Sequence, residues 1–199
     1  MFSEYWYVFI VLAFIVIFFG AGIGKAAARA LYSRKSGLDP LNCAELRIGQ
    51  KLELEGKFDQ AAKAYKQMIE MYPDSETGHL FLGYLHKKRK DFQAAAEAFR
   101  NVLKIDPSSV EALCEVAESA RMLGNDREAA DLYGEVLAKD AGNADAHYAL
   151  GVMLLDSDRA KAVTHFKAFK ASTGRVVSAR LAQRLKQADE ILGDEEKNR

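Results

Sequence analysis

The chain has 199 residues with 28 Lys+Arg and 28 Asp+Glu, so its formal net charge is zero. That balance argues against a nucleic-acid-binding domain, which needs a basic excess to neutralise phosphates. The two cysteines, Cys43 and Cys114, form no CxxC pair, which speaks against a disulfide scaffold or a zinc cluster.

The charge is unevenly spread. Residues 1–24 hold a single charged side chain, Glu4, and residues 5–24 are an unbroken uncharged, mostly apolar run. At ~1.5 Å per residue a helix over that run spans about 30 Å, the thickness of a bilayer hydrocarbon core. Tyr5, Trp6 and Tyr7 at one end suit the headgroup boundary. The expectation is a transmembrane anchor over 1–24. A cleaved signal peptide is the alternative, but no Lys or Arg precedes the run and the run exceeds a usual signal core. Gly20 and Gly24 have the GxxxG spacing that lets a second membrane helix pack closely; lipid-facing glycines are the blander reading.

Residues 25–41 read as a basic juxtamembrane connector. Lys25, Arg29, Arg34 and Lys35 follow the run, and no acid appears until Asp39. The positive-inside rule then translocates the N-terminus and leaves the rest of the chain cytoplasmic. Gly37, Asp39 and Pro40 mark a break before the next element.

From there a 34-residue period runs through the sequence. Gly49, Gly83, Ala117 and Gly151 share one column; Ala61, Ala95 and Ala129 share a second; Tyr65, Phe99 and Tyr133 share a third. Pro73 and Pro107 form a fourth, with Ala141 in the next place, and Gly56 and Gly124 recur where the intervening unit has Lys90. Small residues let two helices pack closely, aromatic rings fill the space against the next unit, and proline ends a helix. The pattern resembles the tetratricopeptide repeat family, whose unit is a helix–turn–helix of that length.

The resemblance implies an all-α right-handed solenoid with four repeats over 42–173, at 42–75, 76–109, 110–143 and 144–173. Repeat four departs from the pattern: Ala162 and Phe166 take the alanine and aromatic columns, its inner turn Asp156–Arg159 reads one residue short, and no proline closes it. A stack of repeats needs a polar cap. Residues 174–199 provide one, with Val177, Leu181, Leu185, Ala188 and Leu192 at helical spacing before a polar tail.

The family presents its groove on the first helix of each repeat. Carried onto this chain, that places Leu46, Arg47 and Gln50 in repeat one, Leu80, Phe81 and Tyr84 in repeat two, Glu111, Glu115 and Glu118 in repeat three, and Tyr148 and Val152 in repeat four. Co-chaperone members clamp acidic chaperone tails with Lys, Asn and Arg, and the matching places here read Leu46, Gln50, Phe81, Glu111 and Glu115. That binding mode is therefore not expected. Aromatic and aliphatic anchors beside three acids favour an extended or helical peptide with apolar side chains and a few Lys or Arg; a merely solvated acidic face is the alternative.

Sites for chemistry are sparse. His79 and His86 lie on one face at helical spacing, but no further ligands complete a metal set, so no metal or cofactor is expected. GAGIGK lacks phosphate-loop spacing, and no hydrolase or protease signature occurs, which predicts a non-enzyme without a small-molecule substrate. The dense run Lys87, Lys88, Arg89 and Lys90 sits in a turn and would suit contact with an anionic membrane surface; a merely solvated turn is the blander alternative. Together these features suggest a membrane-anchored scaffold or adaptor that recruits or holds a protein partner in a membrane complex. A permanent structural subunit held through its membrane helix and a periplasm-facing chaperone-like factor are the alternatives.

Overall fold

The structure, a computed structural model, describes residues 43–173 and 179–197. The expected anchor over 1–24, with Gly20 and Gly24, and the connector bearing Lys25, Arg29, Arg34 and Lys35 lie outside the described residues. No described helix is long and apolar enough to cross a membrane.

The described residues are all-α: α1 Ala44–Leu54, α2 Phe58–Met71, α3 Glu76–Lys88, α4 Phe92–Ile105, α5 Val110–Met122, α6 Asp126–Lys139, α7 Ala144–Leu154, α8 Arg159–Ser172 and α9 Ala179–Lys197. The local sequence explains several of the starts. Asp91 Oδ1 accepts from Ala94 N at 3.2 Å, Ser109 Oγ from Ala112 N at 3.3 Å, Asn143 Oδ1 from Ala146 N at 3.0 Å and Asp158 Oδ1 from Lys161 N at 3.1 Å. Each satisfies an amide that the first helical turn leaves without a partner.

The turns inside repeats one to three share one closure. Lys57 N donates to Leu52 O at 2.8 Å, Asp91 N to His86 O at 2.9 Å and Asn125 N to Ala120 O at 3.0 Å. This six-to-one bond needs a left-handed residue at the turn. Gly56 and Gly124 supply it at φ +74 and +79, and Lys90 adopts it at φ 61.

Repeat four is built differently. The sequence suggests a turn one residue short, yet the connection 155–158 is longer than the turns 55–57, 89–91 and 123–125. The missing length comes out of α7, which has 11 residues where α3 and α5 have 13. No glycine is available there for a left-handed closure; Asp158 N instead donates to Leu154 O at 2.8 Å.

The chain divides into two compact units, residues 1–78 and 79–199, with the boundary in the first turn of α3. In the first, α1 packs on α2 around Ala61, Ala64, Tyr65 and Met68, and Gly49 lies against the Tyr65 ring. In the second, α3 to α9 follow one another as stacked hairpins. Phe99 of α4 packs with Val116 of α5, and Tyr133 of α6 packs with Ala146 and Leu150 of α7. The aromatic column therefore serves two neighbours. Phe99 touches Gly83 of its own first helix and Tyr133 lies with Ala117, and both rings reach the next repeat.

At the C-terminal end Ala188 of α9 joins Ala162, Phe166 and Phe169 of α8. The helix runs to Lys197 and takes in Asp194–Lys197 of the polar tail.

Candidate functional site

The face made by the first helices of the second unit carries most of the expected groove residues. Leu80 of α3 packs beside Ala95 and Phe99, and the Tyr84 ring stands edge-on to Phe99 at 5.2 Å between centroids. The Tyr84 hydroxyl donates to Glu111 Oε1 of α5 at 2.5 Å, and Lys87 Nζ pairs with Glu115. One turn on, Glu118 accepts from Arg121 Nε at 2.9 Å and from the Tyr133 hydroxyl at 2.8 Å. Phe81 is half-buried on the same helix as Tyr84.

These pairings revise the expected acidic patch. Glu111, Glu115 and Glu118 do stand on one helical face, but each already has a partner within the repeat stack. Glu115 is neutralised by Lys87 and Glu118 by Arg121, so Glu111, bonded only to a neutral hydroxyl in these contacts, keeps its charge facing outward. Burial raises the Glu118 carboxyl, yet the Arg121 guanidinium and the Tyr133 hydroxyl outweigh it and hold the group below the ordinary carboxylate value. The same carboxylate, after burial, pushes the Tyr133 hydroxyl upward. Cys114 lies half-buried among these acids; burial first, then Asp145, Glu115 and Glu118, raise its thiol to about 12. It packs against the core that Tyr133 shares with α7.

Repeat four departs further from expectation. Tyr148 does not face an open groove: its hydroxyl donates to Gln187 Oε1 of α9 at 2.6 Å, and the Arg184 guanidinium lies 4.5 Å over its ring. Arg184 also pairs with Asp145. Val152 packs in the same cluster as Leu185 and Leu192. In the first unit Arg47 and Gln50 are exposed on α1, whereas Leu46 is buried at 3 % and belongs to the core instead of a binding face.

Of the basic run, Lys87 is withdrawn by its ion pair, while Lys88, Arg89 and Lys90 are exposed. Among the described residues no three His, Cys, Asp or Glu side chains are grouped closely enough to hold a metal. The close histidine pair is His147 with His165, at 3.0 Å between Nδ1 atoms, not His79 with His86. His147 Nε2 lies 3.0 Å from the Ala141 carbonyl and so carries a proton. In the neutral pair His147 Nδ1 is then the acceptor and His165 Nδ1 the donor.

Sequence reasoning missed the parts that Arg184 and Gln187 play. Arg121 was legible as the i+3 partner of Glu118. The two α9 residues were not, because α9 meets α7 outside the repeat register.

Known proteins agree with this architecture. The tetratricopeptide repeat pattern matches residues 47–110 and 115–162, more than half of the chain. No curated protein matches. The crystal structure of MamA aligns at 25 % identity and TM-score 0.59, covering 73 % of this chain and 85 % of that one. A thermophilic tetratricopeptide repeat protein of Thermus thermophilus aligns at 17 % identity and TM-score 0.60, covering 78 % and 84 %. The first such domain of Spaghetti (RPAP3), bound to the HSP90 peptide SRMEEVD, aligns at 20 % and 0.52, covering 56 % and 89 %. At 17 % and 20 % identity, the last two likenesses concern the fold alone. The chain belongs to the tetratricopeptide repeat family.

Proposed function

We propose that the chain is a membrane-anchored scaffold whose repeats bind a partner protein and hold it at a membrane complex. The observation that carries the binding role is the first-helix face of the second unit. There Tyr84 bonds an outward-facing Glu111, with Phe81 three residues before it on α3, on a frame tied by the Lys87–Glu115 pair. Rigid aromatic anchors with a single residual negative charge suit a peptide or helix with apolar side chains and one or two cations. They do not suit an acidic tail, because Glu111 and Glu115 stand where a carboxylate would need cations. The role is that of a binding module and not of a catalyst.

The anchoring part rests on the apolar run at 5–24 and the basic residues after it, which favour repeats on the cytoplasmic side. Full-length protein and a chain lacking residues 1–24, purified in mild detergent with mass spectrometry of what accompanies them, test both halves. One partner retained by both chains and lost from Glu111→Lys supports groove recognition. A partner unaffected by Glu111→Lys, or only ever seen with the full chain, refutes it and favours a subunit held through its membrane segment.

A further inference from the structure

Helix α9 does not continue the repeat register. Where first helices of successive repeats meet, the bonded residues are 27 and 28 apart, Tyr84 with Glu111 and Lys87 with Glu115. Between α7 and α9 the separation is 39 for both Asp145 with Arg184 and Tyr148 with Gln187. The two pairs advance together, so α9 runs parallel to α7 but is slid by about eleven residues, or ~16 Å of helix. The slide lays α9 over Asp145 and Tyr148 of the first-helix face.

The attachment is thin. Among the described side chains of α9 only Ala188 is fully buried, whereas α8 buries Ala162, Val163, Phe166 and Phe169. Leu185, Ile191 and Leu192 pack on the same cluster only partly buried, and the rest of the grip is polar. Arg184 pairs with Asp145 and Lys170 with Asp189, and the two carboxylates are 66 % and 56 % exposed. Ion pairs in such solvent contact contribute little and weaken with salt. An element with one fully buried side chain among those described, held by ion pairs whose carboxylates are exposed, is among the first to open locally. Its departure would uncover Tyr148, Phe166 and Phe169, flanked by Asp145 on one side and Lys170 on the other.

We propose that α9 is an intramolecular occupant of the repeat-four face, displaced by an amphipathic helix of the partner protein. That helix presents a cation to Tyr148 and Asp145 and an aliphatic stripe to Phe166 and Phe169, as Arg184, Leu185 and Leu192 do in cis. The inference rests on the reading of the first-helix face as the binding surface, and names how that surface is regulated. α9 thereby lowers the apparent affinity by the fraction of time it is seated.

The test uses the full chain. Hydrogen exchange should show α9 amides exchanging about 100-fold faster than those of α8. A fluorescein-labelled peptide of residues 179–197 is then titrated into wild type and into the Arg184→Glu, Leu185→Asp double variant, which unseats α9. Anisotropy should report about tenfold tighter binding to the variant, because the competitor in cis is gone. Exchange of α9 and α8 as one cooperative unit overturns the proposal. So does equal or absent peptide binding while circular dichroism shows the repeats intact. Should the variant lose more helix than α9 holds, the wild-type exchange rates decide. A partner lost from Glu111→Lys concerns the α3–α5 face alone, so the two readings fail separately.

Discussion

Replacing the small residue of each first helix by alanine should destabilise the repeats in a fixed order. A Cβ built at Gly49 lies 2.3 Å from Tyr65 Cε1, at Gly83 2.6 Å from Phe99 Cε1, and at Gly151 3.0 Å from Phe166 Cε1. Tyr65, Phe99 and Phe166 are all fully buried, so none of these rings swings aside cheaply. Alanine improves helix propensity by about 1 kcal/mol, and overpacking costs about 1–3 kcal/mol. At Gly151 the neighbour must shift by only a few tenths of an ångström, so the two terms nearly cancel. At Gly83 the clash wins by about 1 kcal/mol, and at Gly49 by about 2 kcal/mol. Ala117, which already holds this column against Tyr133, shows that the architecture accommodates the methyl where the spacing allows. Because repeat stacks unfold piecewise, the assay is hydrogen exchange resolved to α1–α2, α3–α4 and α7–α8. Equal protection losses in Gly49→Ala, Gly83→Ala and Gly151→Ala would refute the idea that ring contact sets this column.

Tyr133→Phe removes the 2.8 Å bond to Glu118 and should cost about 1 kcal/mol, with the Glu118 carboxyl titrating higher by NMR. Lys90→Gly should stabilise the α3–α4 turn by about 1 kcal/mol, since a side chain at φ 61 carries left-handed strain; denaturant midpoints check it. Burial first, then His147, depresses the His165 pKa, so the unfolded chain binds this proton more readily. Its contribution is present above the unfolded value near 6.5 and is lost as pH falls below it, which should appear as faster α7–α8 exchange at pH ~5 than at pH ~7.5 and be flattened in His165→Gln.

Much of the fold was legible because packing in a repeat is local and periodic. The columns Gly49/Gly83/Gly151 and Tyr65/Phe99/Phe166 are the two sides of one contact, so each spacing in sequence reports a distance in space. The same logic exposes the weak points of the reading. Repeat four lacks a left-handed turn residue, and the sequence pattern placed its lost residue in the turn when the helix absorbs it. Leu46 fits a groove position by register but is buried, because register fixes a residue's angle on its helix and not what covers it.

The site was less legible for a reason that also bears on function. A row of acids at i, i+4 and i+7 looks like a surface charge until the cations of neighbouring helices are placed, and Lys87 sits 28 residues from its partner. What one helix displays as charge, the stack uses as joinery: Lys87–Glu115 fixes successive first helices against one another, and Arg121–Glu118–Tyr133 ties α5 to α6 of its own repeat. Charge that holds the frame rigid is no longer available to attract a ligand, so affinity at this face falls to the half-buried rings and to Glu111. At repeat four the corresponding acid, Asp145, and the nearby ring of Tyr148 are engaged too, but by the one helix that lies out of register and buries a single described side chain. The same kind of pairing is therefore structural between repeats two and three and exchangeable at the end of the stack. Which role a groove residue plays depends on how deeply its partner helix is buried.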